Sequence, residues 1–315
     1  MRDHYVLTGG AGFIGSAIVR SLLANGARQV MVIDNLLTGN EANLEEVREA
    51  VEFHRTDICD YDELASLIRG ASVVFHEAAI PSVPRSIDEP VLSHNVNIDG
   101  TFNVLRASQE GKVGRVVYAA SSSAYGDTEV LPKVETMMPH PKSPYALQKL
   151  VGESYAQIFS EVYGLETISL RYFNVYGPRQ DPSSAYSGVL SLFMKAILER
   201  CAPVIYGDGE QSRDFTYVED VAALNLQAAR AGNASGKVYN AGNGDRITLN
   251  QAWALLQKFE GVNIPAQYGP PRAGDVRHSQ ADTTAAVRDL GYAPRFSFEE
   301  GLRRTLEWYR QESGM

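Results

Sequence analysis

The sequence predicts an α/β protein whose centre is a doubly wound parallel sheet, followed by a smaller C-terminal domain. Short runs rich in Val and Ile mostly lack polar alternation, which is typical of strands buried on both faces of a parallel sheet. Amphipathic stretches lie between these runs, and strands that alternate with helices form a doubly wound sheet. The predicted strands are Tyr5–Thr8, Val30–Ile33, Val51–His54, Val73–His76, Val116–Ala119 and Thr167–Arg171.

Four helices are predicted among these strands, and each ends at a glycine, the residue that commonly terminates a helix. The last of them begins at Ser143-Pro144, which combines a good N-cap with proline at the first helical position. The predicted helices are Phe13–Asn25, Asp62–Arg69, Val91–Glu110 and Tyr145–Tyr163.

The pattern changes after Arg171, where segments become shorter and rich in turn residues. Lys237–Ala241 is a strand-like run in this part, and we expect it to return to the sheet. The larger domain is therefore predicted to hold residues 1–175 and this returning strand, and residues 176–315 mainly form the smaller domain. We expect the smaller domain to close over the end of the sheet.

Composition excludes several classes of protein. The 38 acidic and 29 basic residues give a formal net charge of −9 without a Lys/Arg-rich run, so no nucleic-acid partner is expected. Cys59 and Cys201 form no Cys-x-x-Cys pair, and neither a metal site nor a disulfide is expected. Apolar stretches are far shorter than the ~20 residues that span a bilayer. The first predicted strand begins too early for a signal peptide, so we expect a cytoplasmic protein without membrane contact.

A glycine-rich turn follows the first strand. The run Thr8–Gly15 (TGGAGFIG) contains the G-x-G-x-x-G spacing, which permits a tight turn, the approach of a pyrophosphate and close packing of helix on strand. The next helix presents free N–H groups to phosphates. Asp34 ends the second strand, where a carboxylate accepts hydrogen bonds from a ribose 2′-hydroxyl and repels a 2′-phosphate. The pattern predicts a dinucleotide site that prefers NAD to NADP.

Two neighbouring positions have alternative interpretations. Asp57 and Ile58, after the third strand, either flank an adenine or belong to an ordinary turn. His76 lies inside the fourth strand and is expected to be a packed strand residue, not a catalytic base.

A tyrosine and a lysine mark a candidate catalytic helix. Tyr145 and Lys149 are spaced i, i+4, which places both on one helix face. A free tyrosine titrates near pH ~10, and we expect the cation one turn away to lower the pKa of Tyr145 and make it a usable base. Ser121, Ser122 and Ser123 follow the fifth strand, at the sheet edge where open α/β sheets bind ligands. Ser121 is therefore expected to contact the same substrate oxygen as Tyr145.

Together these motifs resemble the extended short-chain dehydrogenase/reductase superfamily. Further runs make the chain similar to its UDP-sugar 4-epimerases, in the family's order and over nearly the whole chain. They are His76-Glu77-Ala78-Ala79, Arg171-Tyr172-Phe173-Asn174-Val175-Tyr176-Gly177, Gly207-Asp208-Gly209-x-x-x-Arg213-Asp214 and Arg272-x-Gly274-Asp275. The resemblance implies a Rossmann-type domain, a smaller UDP-sugar-binding domain and NAD as cofactor. It also implies a homodimer that pairs the helices near Val91–Glu110 and Tyr145–Tyr163.

The resemblance implies roles for individual residues. Ser121, Tyr145 and Lys149 form the catalytic trio. The residues that bind NAD are Gly9, Gly12, Phe13, Ile14, Gly15, Asp34, Asn35, Asp57, Ile58, Ala78, Lys149 and Tyr172. The residues that bind the UDP-sugar are Val83, Ser121, Ser122, Ser123, Tyr145, Asn174, Val204, Tyr206, Arg213, Arg272, Asp275 and Ser279. In that set the two arginines hold the diphosphate, Asp275 the ribose, and Val204 and Tyr206 the uracil.

The residues after Ser121 separate related reactions. Similar dehydratases place Asp-Glu there, whereas Ser122 and Ser123 cannot protonate a leaving hydroxide as a carboxylic acid can. We therefore expect simple epimerisation. In that reaction Tyr145 takes the C4 hydroxyl proton, hydride passes to NAD, and the 4-keto sugar turns and receives the hydride on its other face.

The sugar is predicted from Ser279, which the resemblance places beside the sugar C2. A small side chain there admits an N-acetyl group, and a bulky Tyr excludes it. UDP-N-acetylglucosamine and UDP-N-acetylgalactosamine are the expected substrates, with UDP-glucose and UDP-galactose as further ones. UDP-glucuronate stays open, because Arg85 and Ser86 follow the fourth strand and would face the sugar. A non-catalytic NAD sensor and an oxidoreductase that releases NADH are further alternatives, although a sensor has no need of the intact catalytic trio.

Overall fold

The computed structural model describes residues 4–181, 188–271 and 276–312 of the 315-residue chain. In chain order the strands are β1 (His4–Thr8), β2 (Gln29–Ile33), β3 (Glu52–His54), β4 (Val73–His76), β5 (Arg115–Ser121), β6 (Thr167–Tyr172), β7 (Val175–Tyr176), β8 (Val204–Tyr206), β9 (Ser212–Arg213), β10 (Thr216–Tyr217), β11 (Lys237–Ala241), β12 (Ile247–Thr248) and β13 (Gln267–Gly269). The α-helices are α1 (Phe13–Ala24), α2 (Tyr61–Ile68), α3 (Val83–Asp88), α4 (Pro90–His94), α5 (Thr101–Glu110), α6 (Pro144–Tyr163), α7 (Val189–Leu198), α8 (Val218–Arg230), α9 (Leu249–Glu260), α10 (Thr284–Leu290) and α11 (Phe298–Glu312).

Seven of these strands form one parallel sheet in the order β11-β6-β5-β4-β1-β2-β3. The sheet contains all six strands predicted in the first half and the returning strand, so the predicted doubly wound α/β fold class is confirmed. Its central strands are apolar on both faces: Leu7 and Phe75 lie in one core cluster, and Val6 and Val74 lie in the other. Helices cover both faces, as a parallel sheet requires.

The two faces are covered by different sets of helices. Helix α1 packs against α8 on one face, where Ile18 and Leu22 share a core with Ala222 and Leu226. Helices α2, α5 and α6 cover the other face. Helix α8 and strand β11 thus belong to the core around the sheet although they follow residue 175.

The helix predicted at Val91–Glu110 is interrupted. It begins at Pro90 and passes through a π-helical turn at Asn95–Gly100 before it continues as α5. The side chain of Asn97, in this wide turn, accepts a hydrogen bond from the N–H of Ile80 at 2.8 Å and donates one to its carbonyl oxygen at 3.2 Å. The turn therefore holds the segment that follows β4, which lines the cleft described below.

The second half of the chain contains more helix than the sequence analysis predicts. Helices α7, α9 and α11 pack around a separate core that includes Phe193, Trp253 and Leu302. The apolar periodicity of these helices was not recognised in the sequence, because turn residues separate them into short segments. No helix in the described ranges has the length and apolar character needed to cross a bilayer.

Candidate active site

A cleft of about 810 Å³ opens at the carboxyl end of the parallel sheet. Strand ends that are far apart in the sequence meet there, because parallel strands finish at the same edge. Gly9 follows β1, Asp34 follows β2, and Glu77 follows β4, while Ser121 and Tyr172 end β5 and β6. The cleft continues toward the C-terminal helices, where Ser279 lines it.

The glycine turn after β1 forms one end of the cleft. Gly9 has φ +73°, and a Cβ there would lie 2.5 Å from the N of Ala78. A Cβ on Gly15 would lie 2.8 Å from the Cα of Gly10, so side chains would fill the turn. Helix α1 begins here with Gly12 as its N-cap, and no side chain caps its first N–H groups. The turn therefore fits a bound pyrophosphate, as the sequence predicts.

Asp34 is 7% exposed and faces this turn. Its two carboxylate oxygens accept hydrogen bonds from the N–H groups of Ala11 and Leu36, each at 2.9 Å. Each oxygen keeps a second lone pair for a ribose hydroxyl. Burial raises the pKa of Asp34, and these two bonds oppose the rise.

Asp57 and Ile58, the two residues after β3 that had alternative interpretations, have different places. Ile58 lines the cleft. Asp57 instead lies behind Asn35, whose side-chain amide donates to the Asp57 carboxylate at 2.9 Å. Asp57 therefore acts on the cleft through Asn35, which is itself a lining residue.

The three residues of the predicted catalytic trio all line the cleft. Tyr145 and Lys149 lie on the first turns of α6, and Ser121 ends β5. The side chains of Tyr145 and Ser121 line the cleft as neighbours. The Lys149 ammonium donates to the carbonyl oxygen of Ala119 at 2.8 Å. This arrangement brings a phenol, a hydroxyl and a cation to one place.

The electrostatics of Tyr145 differ from the expectation. We expected the charge of Lys149 to lower the pKa of Tyr145, and this expectation is wrong. Burial raises the pKa of Tyr145, the neighbouring Ser121 hydroxyl opposes that rise, and the charge of Glu77 adds to it. Burial also lowers the pKa of Lys149 to about 8, an effect that Glu77 opposes.

Glu77 is a cleft residue that the sequence analysis used only as part of a motif. Its carboxylate accepts a hydrogen bond from the hydroxyl of Tyr172 at 2.6 Å. Burial raises the pKa of Glu77 to about 7, against the effects of Tyr172 and Lys149. The sequence did contain a signal for Glu77 as a site residue. It is an acidic residue directly after a buried strand, at the ligand-binding edge of a parallel sheet.

The sugar-side wall of the cleft joins residues from distant parts of the chain. Asn174, at φ +24°, donates its side-chain N–H to the Ser279 hydroxyl at 3.2 Å. The same hydroxyl accepts the N–H of Asp214 at 3.3 Å. The further predicted substrate residues that line the cleft are Val83, Ser122, Ser123 and Arg213.

Some predicted residues have other places. Val204 and Tyr206 are 48% and 37% exposed on β8 and do not line the cleft, because β8 pairs with β13 at the edge of the C-terminal lobe. Ser86 does not face the sugar end either: it is buried and accepts the N–H of Tyr145 at 3.1 Å. Arg272 and Asp275 lie outside the described residues.

Two cationic side chains line the cleft and would attract an anionic group of a ligand. Arg85 lines it as expected and forms an ion pair with Glu89 at 3.3 Å. Lys133 was not predicted, since its loop carries no motif. It is 1% exposed, and its ammonium donates to the carbonyl oxygen of Thr128.

The chain is similar to known proteins along nearly its whole length. Residues 5–242 match the NAD dependent epimerase/dehydratase family. The UDP-glucose 4-epimerase of Mycolicibacterium smegmatis is 36% identical over 312 residues, which cover 98% of this chain and 99% of the relative.

Solved structures have the same architecture. The UDP-glucose 4-epimerase of Thermotoga maritima, crystallised with UDP-glucose, is 39% identical with a TM-score of 0.94 over 98% of this chain and 99% of that one. The UDP-N-acetylglucosamine 4-epimerase of Methanobrevibacter ruminantium, in complex with UDP-N-acetylmuramic acid, is 38% identical with a TM-score of 0.94 over 99% and 100% of the two chains.

Proposed function

The chain belongs to the NAD dependent epimerase/dehydratase family and is an enzyme that epimerises a UDP-sugar with NAD as its cofactor; from that premise we propose that its sugar is an N-acetylated hexose inverted at C4. The observation that carries the assignment of the reaction is the meeting of Tyr145, Ser121 and Lys149 at the carboxyl end of the sheet. The small, cleft-lining Ser279 carries the assignment of the sugar.

The residues around the glycine turn suit NAD. The uncapped N–H groups at the start of α1 would bind the pyrophosphate, and Asp34 would accept hydrogen bonds from the adenosine ribose. Lys149 and Tyr172 would lie at the nicotinamide end, since both line the cleft beside the catalytic hydroxyls. When bound, NAD supplies a reversible acceptor for the hydride of the sugar C4.

Tyr145 is assigned as the group that removes the proton of the C4 hydroxyl. Its side chain lines the cleft beside Ser121, so the two hydroxyls would hold the same sugar oxygen. The raised pKa of Tyr145 makes the phenol a poor base by itself. The ammonium of Lys149 would stabilise the phenolate in the loaded enzyme, where bound ligands exclude water and strengthen the attraction. When the hydride returns to C4, Tyr145 gives the proton back to the same C4 oxygen.

The neighbours of Ser121 favour epimerisation over loss of water. Ser122 and Ser123 line the cleft, and the hydroxyl of Ser123 lies 2.8 Å from that of Ser121. Neither can deliver a proton to a leaving hydroxide as a carboxylic acid does. The keto sugar is therefore left to turn within the cleft and be reduced on its other face.

A second candidate sugar has a specific observation in its favour. Arg85 and Lys133 line the cleft, and a uronic acid carries a carboxylate that either cation would attract. Arg85 is already paired with Glu89 in the structure. UDP-glucuronate is therefore the alternative that a substrate comparison must include.

A second copy of the chain is the proposed partner. Helices α3 to α6 expose apolar side chains, a pattern that marks an association surface. These are Ile87, Val91, Phe102, Leu147, Tyr155, Ile158, Val162 and Tyr163. We expect a homodimer by light scattering, and the double variant Ile158→Asp, Val162→Asp should be a monomer. A wild-type protein that is a monomer at the concentrations of the activity assay would contradict the proposed homodimer.

The function is tested with UDP-N-acetylglucosamine, UDP-glucose and UDP-glucuronate in separate incubations. We expect the C4 epimer of the first to form without a lasting change in nicotinamide absorbance. Tyr145→Phe should lower kcat by about 10²–10⁴-fold and change KM little, because it removes only the acid–base hydroxyl. Tyr61→Phe, which removes a hydroxyl from α2, a helix that does not line the cleft, is the matched control and should keep wild-type kcat. Near-normal turnover of Tyr145→Phe would overturn the mechanism.

A further inference from the structure

Glu77 is an acidic residue in the wall of the cleft that also contains the proposed catalytic ammonium group of Lys149. It directly follows β4, and its N–H donates to the carbonyl oxygen of Thr8 at 3.0 Å. Its side chain lines the cleft together with Lys149 and Tyr172. The reaction described above assigns this carboxyl group no step.

A short chain of hydrogen bonds fixes the side chain of Glu77. The amide N–H of Asn225, on α8, donates to the Tyr172 hydroxyl at 2.8 Å. The Tyr172 proton is then directed to Glu77, whose carboxylate accepts it at 2.6 Å. Because the carboxyl group accepts this bond, the contact favours its ionised form.

Glu77 and Lys149 line the same cleft and carry opposite charges that act on each other. Each opposes the shift that burial causes in the pKa of the other, which burial lowers to about 8 for Lys149 and raises to about 7 for Glu77. Lys149 is 4% exposed and has Ala119 as its hydrogen-bond acceptor, which is neutral. A buried ammonium needs a compensating charge to stay protonated.

We propose that Glu77 is a positioning residue that keeps Lys149 in its ammonium form and holds Tyr172 against the cleft wall. The proposal rests on the proposed function, in which Lys149 must be charged for Tyr145 to work as a base. Glu77 acts through these neighbours and receives no proton from the sugar.

Other titratable groups face this pair and set the background of any pH measurement. They are Tyr145 on α6, Tyr118 on β5, Tyr172 on β6 and His76 on β4. The ring of Tyr118 lies 5.0 Å from the Lys149 ammonium, and His76 is held neutral by burial. Glu77 is an electrostatic neighbour of the three tyrosines, and Tyr118 has the carboxylate of Glu153 as a further neighbour.

The test is the Glu77→Gln variant, which keeps an oxygen to accept from Tyr172 and removes the charge. The pKa of Lys149 should fall, because the charge that opposes its lowering is gone. The pKa of Tyr145 should fall as well, since the same charge raises it. We therefore expect both limbs of the kcat/KM pH profile to move to lower pH by about one unit. A merely structural role would lower activity and leave the limbs in place.

A second measurement does not depend on turnover. The ionisation of Lys149 in the ligand-free protein is followed by the carbon NMR shift of its ε-methylene group, assigned by its absence in Lys149→Met, and then in the same way in the Glu77→Gln background. We expect the pKa of Lys149 to be lower in that background. This result would support the role of Glu77 even if the enzyme acted on none of the UDP-sugars tested, so the two proposals fail separately.

Two further variants keep the inference testable if Glu77→Gln does not fold. Glu77→Asp preserves the charge and should retain a pH profile close to that of the wild type. Tyr172→Phe removes the bond that favours the ionised carboxyl group and should move the alkaline limb in the same direction as Glu77→Gln, by less. Unchanged limbs and an unchanged Lys149 titration in Glu77→Gln, or in Tyr172→Phe if that alone folds, would overturn the proposal.

Discussion

The ammonium of Lys149 donates a hydrogen bond to the main-chain carbonyl oxygen of Ala119, with 2.8 Å between the two atoms. This bond joins α6 to β5 just before the strand reaches Ser121, while Tyr145 lies one helical turn before Lys149. The bond therefore holds the Lys149 side chain against the end of β5 that carries Ser121. Any substitution at this position is expected to alter both this contact and the charge.

Lys149→Met preserves the length of the side chain and removes the charge and the bond to Ala119. We expect the purified variant to retain less NAD than the wild type and to have a much lower kcat, because the Tyr145 phenolate loses its stabilising cation. The measurements are NAD released on denaturation, per chain, and kcat. Lys195→Met, an exposed lysine on α7, is the control and should keep wild-type values for both. Full NAD content and turnover in Lys149→Met would contradict the assignment of Lys149.

Asp34→Asn tests the choice of cofactor. The wild type should bind NAD more tightly than NADP, because the carboxylate repels a 2′-phosphate. The variant should lose part of this preference through weaker NAD binding and stronger NADP binding. Since Asn has one acceptor oxygen, it also loses one of the bonds from Ala11 and Leu36, so thermal unfolding must be measured beside both affinities. Tighter binding of NADP by the wild type would show that this interpretation of Asp34 is wrong.

Glu153→Ala tests the buried ion pair that docks the catalytic helix. Arg171 of β6 donates to both oxygens of Glu153 on α6, at 2.8 and 2.7 Å, and the side chains are 3% and 4% exposed. Removal of one partner leaves an uncompensated buried charge, so we expect the free energy of unfolding in urea to fall by about 3–5 kcal/mol. Glu300→Ala, which breaks an exposed pair with Arg304, should cost far less. Equal losses in the two variants would contradict this account.

The sequence predicts what depends on local spacing and on the topology of parallel strands. The glycine turn at Gly9–Gly15 and the i, i+4 pair Tyr145 and Lys149 are set by neighbours along the chain, and the parallel sheet then brings Ser121 to them. The rise in the pKa of Tyr145 depends instead on burial by distant segments, which no spacing reveals.

Side chains whose place depends on tertiary packing were also beyond sequence analysis. Ser86 follows a strand as a ligand-facing residue does, yet its hydroxyl is used to accept the N–H of Tyr145. Val204 and Tyr206 are given the uracil by the family resemblance, and their strand pairs with β13 outside the described cleft, so this role stays a prediction. Lys133 lines the cleft from a loop without any motif.

Because His76 is buried, we expect the protein to lose stability in mild acid. The ring is 1% exposed and lies between the hydroxyls of Thr8 and Thr101, at 2.7 and 3.0 Å, and burial lowers its pKa to about 3. Between that value and the unfolded pKa near ~6.5, the unfolded chain binds the extra proton, so stability falls as the pH falls. From pH 7.5 to pH 5 this group should cost about 2 kcal/mol.

The measurement is the free energy of unfolding at those two pH values for the wild type and for His76→Gln. The variant lacks the imidazole and should lose less stability on acidification, while the carboxylates contribute equally to both proteins. A variant with the same pH dependence as the wild type would show that His76 is not the group responsible.

Ser279→Tyr tests the sugar pocket. Ser279 is 8% exposed in the cleft wall, and its hydroxyl accepts from Asn174 and from the N–H of Asp214. A tyrosine there has to extend into the cleft, because the wall behind it is packed, and it would occupy the space proposed for an N-acetyl group. We expect conversion of UDP-N-acetylglucosamine to be abolished and any conversion of UDP-glucose to be largely kept. Ser279→Ala removes the same two hydrogen bonds without adding bulk, so it should retain the wild-type preference between the two sugars. The measurement is kcat/KM for both sugars in all three proteins. A wild type that converts only UDP-glucose or UDP-glucuronate would overturn the assignment of the sugar, while the proposed chemistry of Tyr145 would stand.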